Sequence, residues 1–312
     1  MNTEPEQVPG VTKSRRWAIA IVALAAGGVF FGRDAVRAAI EEVAQFISLR
    51  GKPEPVSANV LSEHETEKLA DTAPQNQVEL LLERSINHFE GANDQIAARV
   101  GAWRGHIEMN PRLTSLFMTA LNSNDLRVRA AAIEVNLAAR NREINSASVD
   151  DLEPVARSGD QGAKVSAMWD IALLGNRGVE PQRAARILLD SIHDDNVDVR
   201  YWAVEGLAHL GTDDTIEPLL QTLHDDPSLL IRERAACSLA QSGMLNEHQR
   251  RSAVPRLLDY TADTSLDSKT REWVFQALRD ITGKTLPHDP AAWREWYDSR
   301  DPQWSPLTRD HS

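Results

Sequence analysis

The sequence predicts an all-α chain: a right-handed α-solenoid of antiparallel helix pairs, with an N-terminal transmembrane helix ahead of it. Three observations carry that prediction. The stretch Asn196 to Gly211, NVDVRYWAVEGLAHLG, reads as one complete capped helix, and versions of it recur along the chain. A second apolar stripe precedes these versions. An uncharged apolar run, Trp17 to Gly32, stands apart near the start.

Taken in order, residues 1–16 are polar, carry Pro5, Pro9 and Gly10, and read as disordered. Residues 17–50 read as a membrane anchor and a continuing amphipathic helix. The run Trp17–Gly32 would be about 24 Å long as a helix, short for a hydrocarbon core of about 30 Å. Arg16 and Arg33 can snorkel and Trp17 suits the interface. Val36, Ile40, Val43 and Ile47 then share one helical side. A rival reading is a cleaved export signal, with Val36 and Ala38 at the cleavage site. Basic residues flank both ends of the run, so charge sets no clear orientation. The anchor reading places the chain in the inner membrane as a single-pass protein, with the repeats on the periplasmic side. Residues 51–77 carry Pro53, Pro55 and Pro74 and read as a linker, with a short helix near Leu61 to Ala70.

Residues 78–283 form the repeat domain. Val78, Leu81, Leu82, Ile86 and Phe89 make one face, and Asn93 or Asp94 caps a partner helix with Ile96, Val100 and Trp103. The regular copies follow. Asn196 caps a helix whose Val199, Ala203, Val204, Leu207 and Leu210 form one stripe, and Gly211 closes it in a left-handed conformation. Aligned on Arg200, the other copies centre on Arg129, Lys164, Arg232 and Arg271, spaced 35, 36, 32 and 39 residues apart in chain order. Four places before each basic residue stands Asp125, Asp160, Asn196, Ser228 or Asp267, all capping types. Leading stripes include Leu113, Leu116 and Phe117; Ile187 and Leu188; Leu219, Leu220 and Leu223; and Leu257 with Leu258. Pro218 and Pro255 sit near helix starts. A two-helix unit cannot bury both faces alone, so units of this kind must stack.

The period, the Asp at the turn and the Arg in the second helix resemble the HEAT-repeat family over roughly residues 78 to 283. The family features match at Asp125, Asp160 and Asp267 and at Arg129, Arg200, Arg232 and Arg271, whereas Lys164, Asn196 and Ser228 depart from them. The resemblance implies a binding scaffold. Residues 284–312 are distinct: Asp289-Pro290 opens a helix carrying Trp293, Trp296 and Tyr297 on one face. This tail resembles one that follows HEAT repeats in some bacterial proteins. It reads either as an aromatic partner surface at Trp293 and Trp296 or as a cap over the last repeat.

The formal net charge is -12, without the basic stripe that nucleic acid requires. A basic protein partner suits such a chain. The lone cysteine, Cys237, excludes an intrachain disulfide and reads as a small residue on a helix flank. No HExxH, phosphate loop, GxSxG or paired-cysteine pattern occurs. Catalytic, cofactor and metal residues are therefore not assigned. The repeated polar cluster is His193-Asp194-Asp195 and His224-Asp225-Asp226. With Asp125, Asp160 and Asp267 it predicts an acidic edge along the turns, of which Asp125, Asp160, His193, Asp195, His224, Asp226 and Asp267 are the candidate partner-binding residues. The plainer reading is that histidine favours a helix C-terminus and aspartate caps the next helix. The basic row is expected to bond turn carboxylates within and between repeats. The function expected is a membrane-anchored, non-catalytic scaffold for protein–protein interaction. The alternatives are an exported soluble binder, or a lyase-type protein by fold analogy with phycobilisome lyase subunits.

Overall fold

A computed structural model describes residues 60, 61 and 63–299. The predicted anchor and the tail beyond Ser299 lie outside the described residues. Among those described, regular structure is helical, apart from one isolated parallel bridge between Val60 and Glu90. The chain divides into two compact units, one ending at Ala139 and the other beginning at Arg140.

In the first unit, α1 (Glu63–Ala70) precedes two helix pairs. These are α2 (Pro74–Ile86) with α3 (Ala92–Trp103), and α4 (Pro111–Leu121) with α5 (Leu126–Ala139). Val78, Leu81, Leu82, Ile96, Trp103, Leu113 and Ile133 form its core. The first repeat helix begins at Pro74 rather than Val78, because Pro74 occupies the first helical turn, where its missing N–H does no harm. Neither Asn93 nor Asp94 caps α3; left-handed Gly91 precedes it, and Asn93 accepts a hydrogen bond from Ser85 at 2.5 Å instead.

The second unit continues the plan. It holds α6 (Ser146–Ala156) with α7 (Gln161–Asn176), α8 (Pro181–Ser191) with α9 (Val197–Leu210), and α10 (Ile216–Asp225) with α11 (Leu229–Ala240). Then come the short α12 (Glu247–Ser252), the pair α13 (Val254–Ala262) and α14 (Ser268–Thr282), and α15 (Pro290–Asp298) against α13. The second helices α7, α9, α11 and α14 pack on one another in succession. Their shared interior includes Ile171, Val204, Leu207, Ile231, Leu239, Val274 and Leu278. Each such fully buried aliphatic side chain contributes about 1.5–3 kcal/mol.

Caps hold the turns. Asp160, Asn196 and Asp267 accept first-turn N–H groups of α7, α9 and α14. Asp125 accepts from Arg127 N at 2.9 Å at the head of α5. Ser228 precedes α11 without a side-chain cap, and Asp226 accepts the Ser228 N–H at 2.7 Å. Gly211 ends α9 at φ 66°, and a Cβ there would lie 2.7 Å from Met244 Cβ and 2.9 Å from its carbonyl carbon. That position therefore demands glycine both for conformation and for space.

Candidate functional site

The turn edge is spent on the fold. Lys164 Nζ donates to Asp194 at 2.8 Å, Arg200 Nε to Asp226 at 2.8 Å, and Arg232 to Asp267 at 3.0 Å. Each pair links one second helix to the turn of the next repeat. Each Arg of the row also holds a carbonyl of its own turn: Arg129 to Ser123, Arg200 to Asp194, Arg232 to Asp226 and Arg271 to Asp263. Four turns of different sequence therefore share one clasp. Burial lowers Arg129 to a pKa of about 10.

Three carboxylates of the predicted edge, Asp125, Asp226 and Asp267, are correspondingly engaged. Asp226 is 7% exposed and lies against the Arg200 fork, so it is not presented to solvent. The hydrogen bond from Arg127, against an opposing burial effect, holds Asp125 below the usual carboxylate range. The Thr270 hydroxyl does the same for Asp267, with Arg232 assisting. His224 bridges Asp225 and Asp263, 2.9 Å from the latter, with its ring 4.8 Å from that of Tyr260. Burial lowers its pKa, but the two carboxylates outweigh that and leave it raised. Asp160, His193 and Asp195 are exposed. Asp160 caps α7, and the Asp195 carbonyl accepts from Arg200 at 3.2 Å. Among the described residues, no group of three or more His, Cys, Asp or Glu is placed to hold a metal ion.

A different surface keeps large aromatic side chains partly exposed. Counting from each basic residue, positions one, two, five and nine places later share one side of the second helix, as helical periodicity requires, with Leu173 and His209 at the ninth place buried. On α7 they are Val165, Ser166, Trp169 and Leu173; on α9, Tyr201, Trp202, Glu205 and His209. On α11 they are Glu233, Arg234, Cys237 and Gln241, and on α14 Glu272, Trp273, Gln276 and Asp280. Trp169, Tyr201, Trp202 and Trp273 are all half-buried. Trp169 meets Trp202 edge-on at 5.8 Å and His209 at 4.8 Å, and Trp202 meets Tyr201 at 5.9 Å. Edge-to-face contacts of this kind are the preferred geometry for aromatic neighbours. Lys269 stands 5.6 Å from the Trp273 ring centroid. Leu229 and Leu230 add exposed aliphatic surface at the head of α11.

The charges on this face are organised around Glu205, which pairs with Arg234 at 3.0 Å and with His209 at 3.5 Å. Burial raises Tyr201 to about 12, with Glu205 adding to the effect. Cys237 is exposed to solvent, yet the protein around it still raises its thiol above the ordinary value. Its thiolate is disfavoured, so it is a surface-lining residue rather than a nucleophile.

The C-terminal tryptophans divide between two environments. Trp293 is fully buried, donates to the Pro287 carbonyl at 2.9 Å, and so serves as a core anchor for α15 rather than a contact for a partner. Trp296 is half-buried and meets Trp293 edge-on at 5.8 Å. The sequence reading missed Trp169, Tyr201, Trp202 and Trp273 as surface residues. The signal was available: all four fall at fixed offsets from the basic row.

A family model described as HEAT repeats matches residues 149–240, the span from α6 through α11. No curated protein matches the chain. Among solved structures, an engineered protein from the Northeast Structural Genomics Consortium is similar at 18% identity. The match covers 70% of this chain and 97% of that one at a TM-score of 0.32, too slight a likeness to carry an argument.

Proposed function

We propose that this chain is a non-catalytic scaffold that docks a protein partner along the outer face of α7, α9, α11 and α14. The observation that carries this reading is the contrast in exposure on those helices. Their packed sides are closed, whereas Trp169, Tyr201, Trp202 and Trp273 remain half-buried with Cys237 and Leu230 exposed beside them. Large aromatic side chains left partly open supply contact area at little entropic cost, which is why they anchor interfaces. HEAT repeats generally mediate protein–protein interaction, and the matched span contains three of the four helix pairs that form this unit's stack.

The finer reading is a tethered scaffold: residues 17–32 anchor it in the inner membrane and the repeats stand on the periplasmic side. Among the described residues no helix is long and apolar enough to cross a membrane, so the tether rests on the apolar run alone. The test is crosslinking in intact membranes followed by capture. Full-length chain should give a defined adduct that Trp169→Ala with Trp202→Ala removes. An adduct unchanged by that pair would discard the proposed face, and a mature N-terminus near residue 38 would discard the tether.

A further inference from the structure

We infer that Arg140 and Arg142 form a seat for a carboxylate carried by an extended protein segment docked on this face. The inference rests on the scaffold reading above and names the chemistry of the partner.

The seat begins with Asp170 on α7, which is fully buried. Arg140 Nε donates to one carboxylate oxygen and Arg142 Nε to the other, at 2.7 Å for Arg142. The Arg140 terminal nitrogen Nη2 also reaches the hydroxyl and the carbonyl of Ser166. A single guanidinium is enough to neutralise one buried carboxylate. Asp170 and the two arginines together carry one net positive charge, in a chain whose formal net charge is -12. The two arginine side chains are 31% and 35% exposed. Arg140 keeps Nη1, and Arg142 keeps both terminal nitrogens, outside these bonds. Asp170 holds both guanidinium groups, Ser166 holds that of Arg140 as well, and both side chains stay partly exposed. The Arg142 terminal nitrogens can then meet a carboxylate bidentately, with Arg140 Nη1 adding a single donor.

The position of the cluster identifies the occupant. Ser166, Trp169 and Asp170 lie within one and a quarter turns of α7, so the positive seat borders the start of the aromatic row. A segment with an acidic residue, or a free C-terminus, beside an apolar side chain would fill both. The surplus charge at this site is positive, so it selects an acidic segment, whereas overall charge alone would select a basic one.

The test is selection of displayed random peptides on the full chain, followed by fluorescence polarisation with a recovered peptide. Recovered sequences should share an acidic residue or carboxyl terminus next to an apolar residue. Arg142→Ala should weaken binding at least about tenfold, and Arg142→Lys should restore only part of it. Replacing the peptide's acid by its amide should cost the same factor in the native chain and little in Arg142→Ala, closing a double-mutant cycle. The thermal midpoint of Arg142→Ala should fall, because Asp170 Oδ2 loses its donor, so affinities are compared at a temperature where circular dichroism shows both chains folded. Peptides without an acid, or with equal affinity for Arg142→Ala, would overturn the seat and leave the scaffold reading standing. Selection of no peptide, together with no adduct in membranes, would remove both.

Discussion

The turn edge and the second-helix face are built from different residues and differ in how far the stack covers them. Along the edge, Lys164, Arg200 and Arg232 each close on a carboxylate of the next repeat, and Asp226 disappears beneath its arginine. On the face, Trp169, Trp202, Trp273 and Cys237 keep part of their surface in water, and Arg142 keeps donors to spare. A charge repeated along the turns thus closes on the next repeat, whereas the rings on the helix face meet their neighbours edge-on and stay half-buried. The first unit sharpens the point. Its α5 carries the same clasp at Arg129, but Ala130, Ala131, Glu134 and Ala138 fill the four facing positions, so it has the edge without the aromatic row.

The comparison breaks most clearly at Asp226. Asp226→Ala leaves the buried Arg200 without its carboxylate and should destabilise the chain by about 3 kcal/mol in denaturant unfolding. A cost under about 0.5 kcal/mol would mean that the edge is not committed to the stack. Asp160→Ala removes an exposed cap from α7 and should cost about 1 kcal/mol by the same measurement.

The next effect depends on pH. His224 gains protons more readily in the folded chain because Asp225 and Asp263 flank it against the opposing effect of burial, with Tyr260 and Arg256 nearby. A raised folded pKa stabilises below the unfolded value, and that contribution is lost as pH rises through the folded value. The native chain should therefore exceed His224→Asn in stability below pH 6.5, the ordinary histidine value, and the two should converge above the raised one. A gap that widened at alkaline pH would reverse the assignment. The smallest effect belongs to the face itself. Cys237→Ser should shift stability by no more than about 0.5 kcal/mol, because the residue is exposed and the change is nearly isosteric.

Much of the architecture was legible because period and cap chemistry are local. The Asn196 cap, the Gly211 close and the copies about Arg200 and Arg232 need only neighbours in sequence. The roles of the acidic residues were less legible, since exposure depends on where the next repeat lies. Asp226 and Asp195 look alike in sequence; one is buried under Arg200, and the other is exposed. Trp293 followed the same rule, its i, i+3 spacing with Trp296 saying that they share a face but not which one is sealed. The Arg140–Asp170–Arg142 cluster joins residues about thirty positions apart with no motif between them, so only packing reveals it.

The most direct test sets photo-crosslinking residues one at a time along both surfaces of the full-length chain in membranes. Replacement of Trp202, Cys237 and Trp273 should yield one common partner adduct, while replacement of His193 and Asp195 should yield none. Adducts from the turn positions with a silent second-helix face would contradict the account.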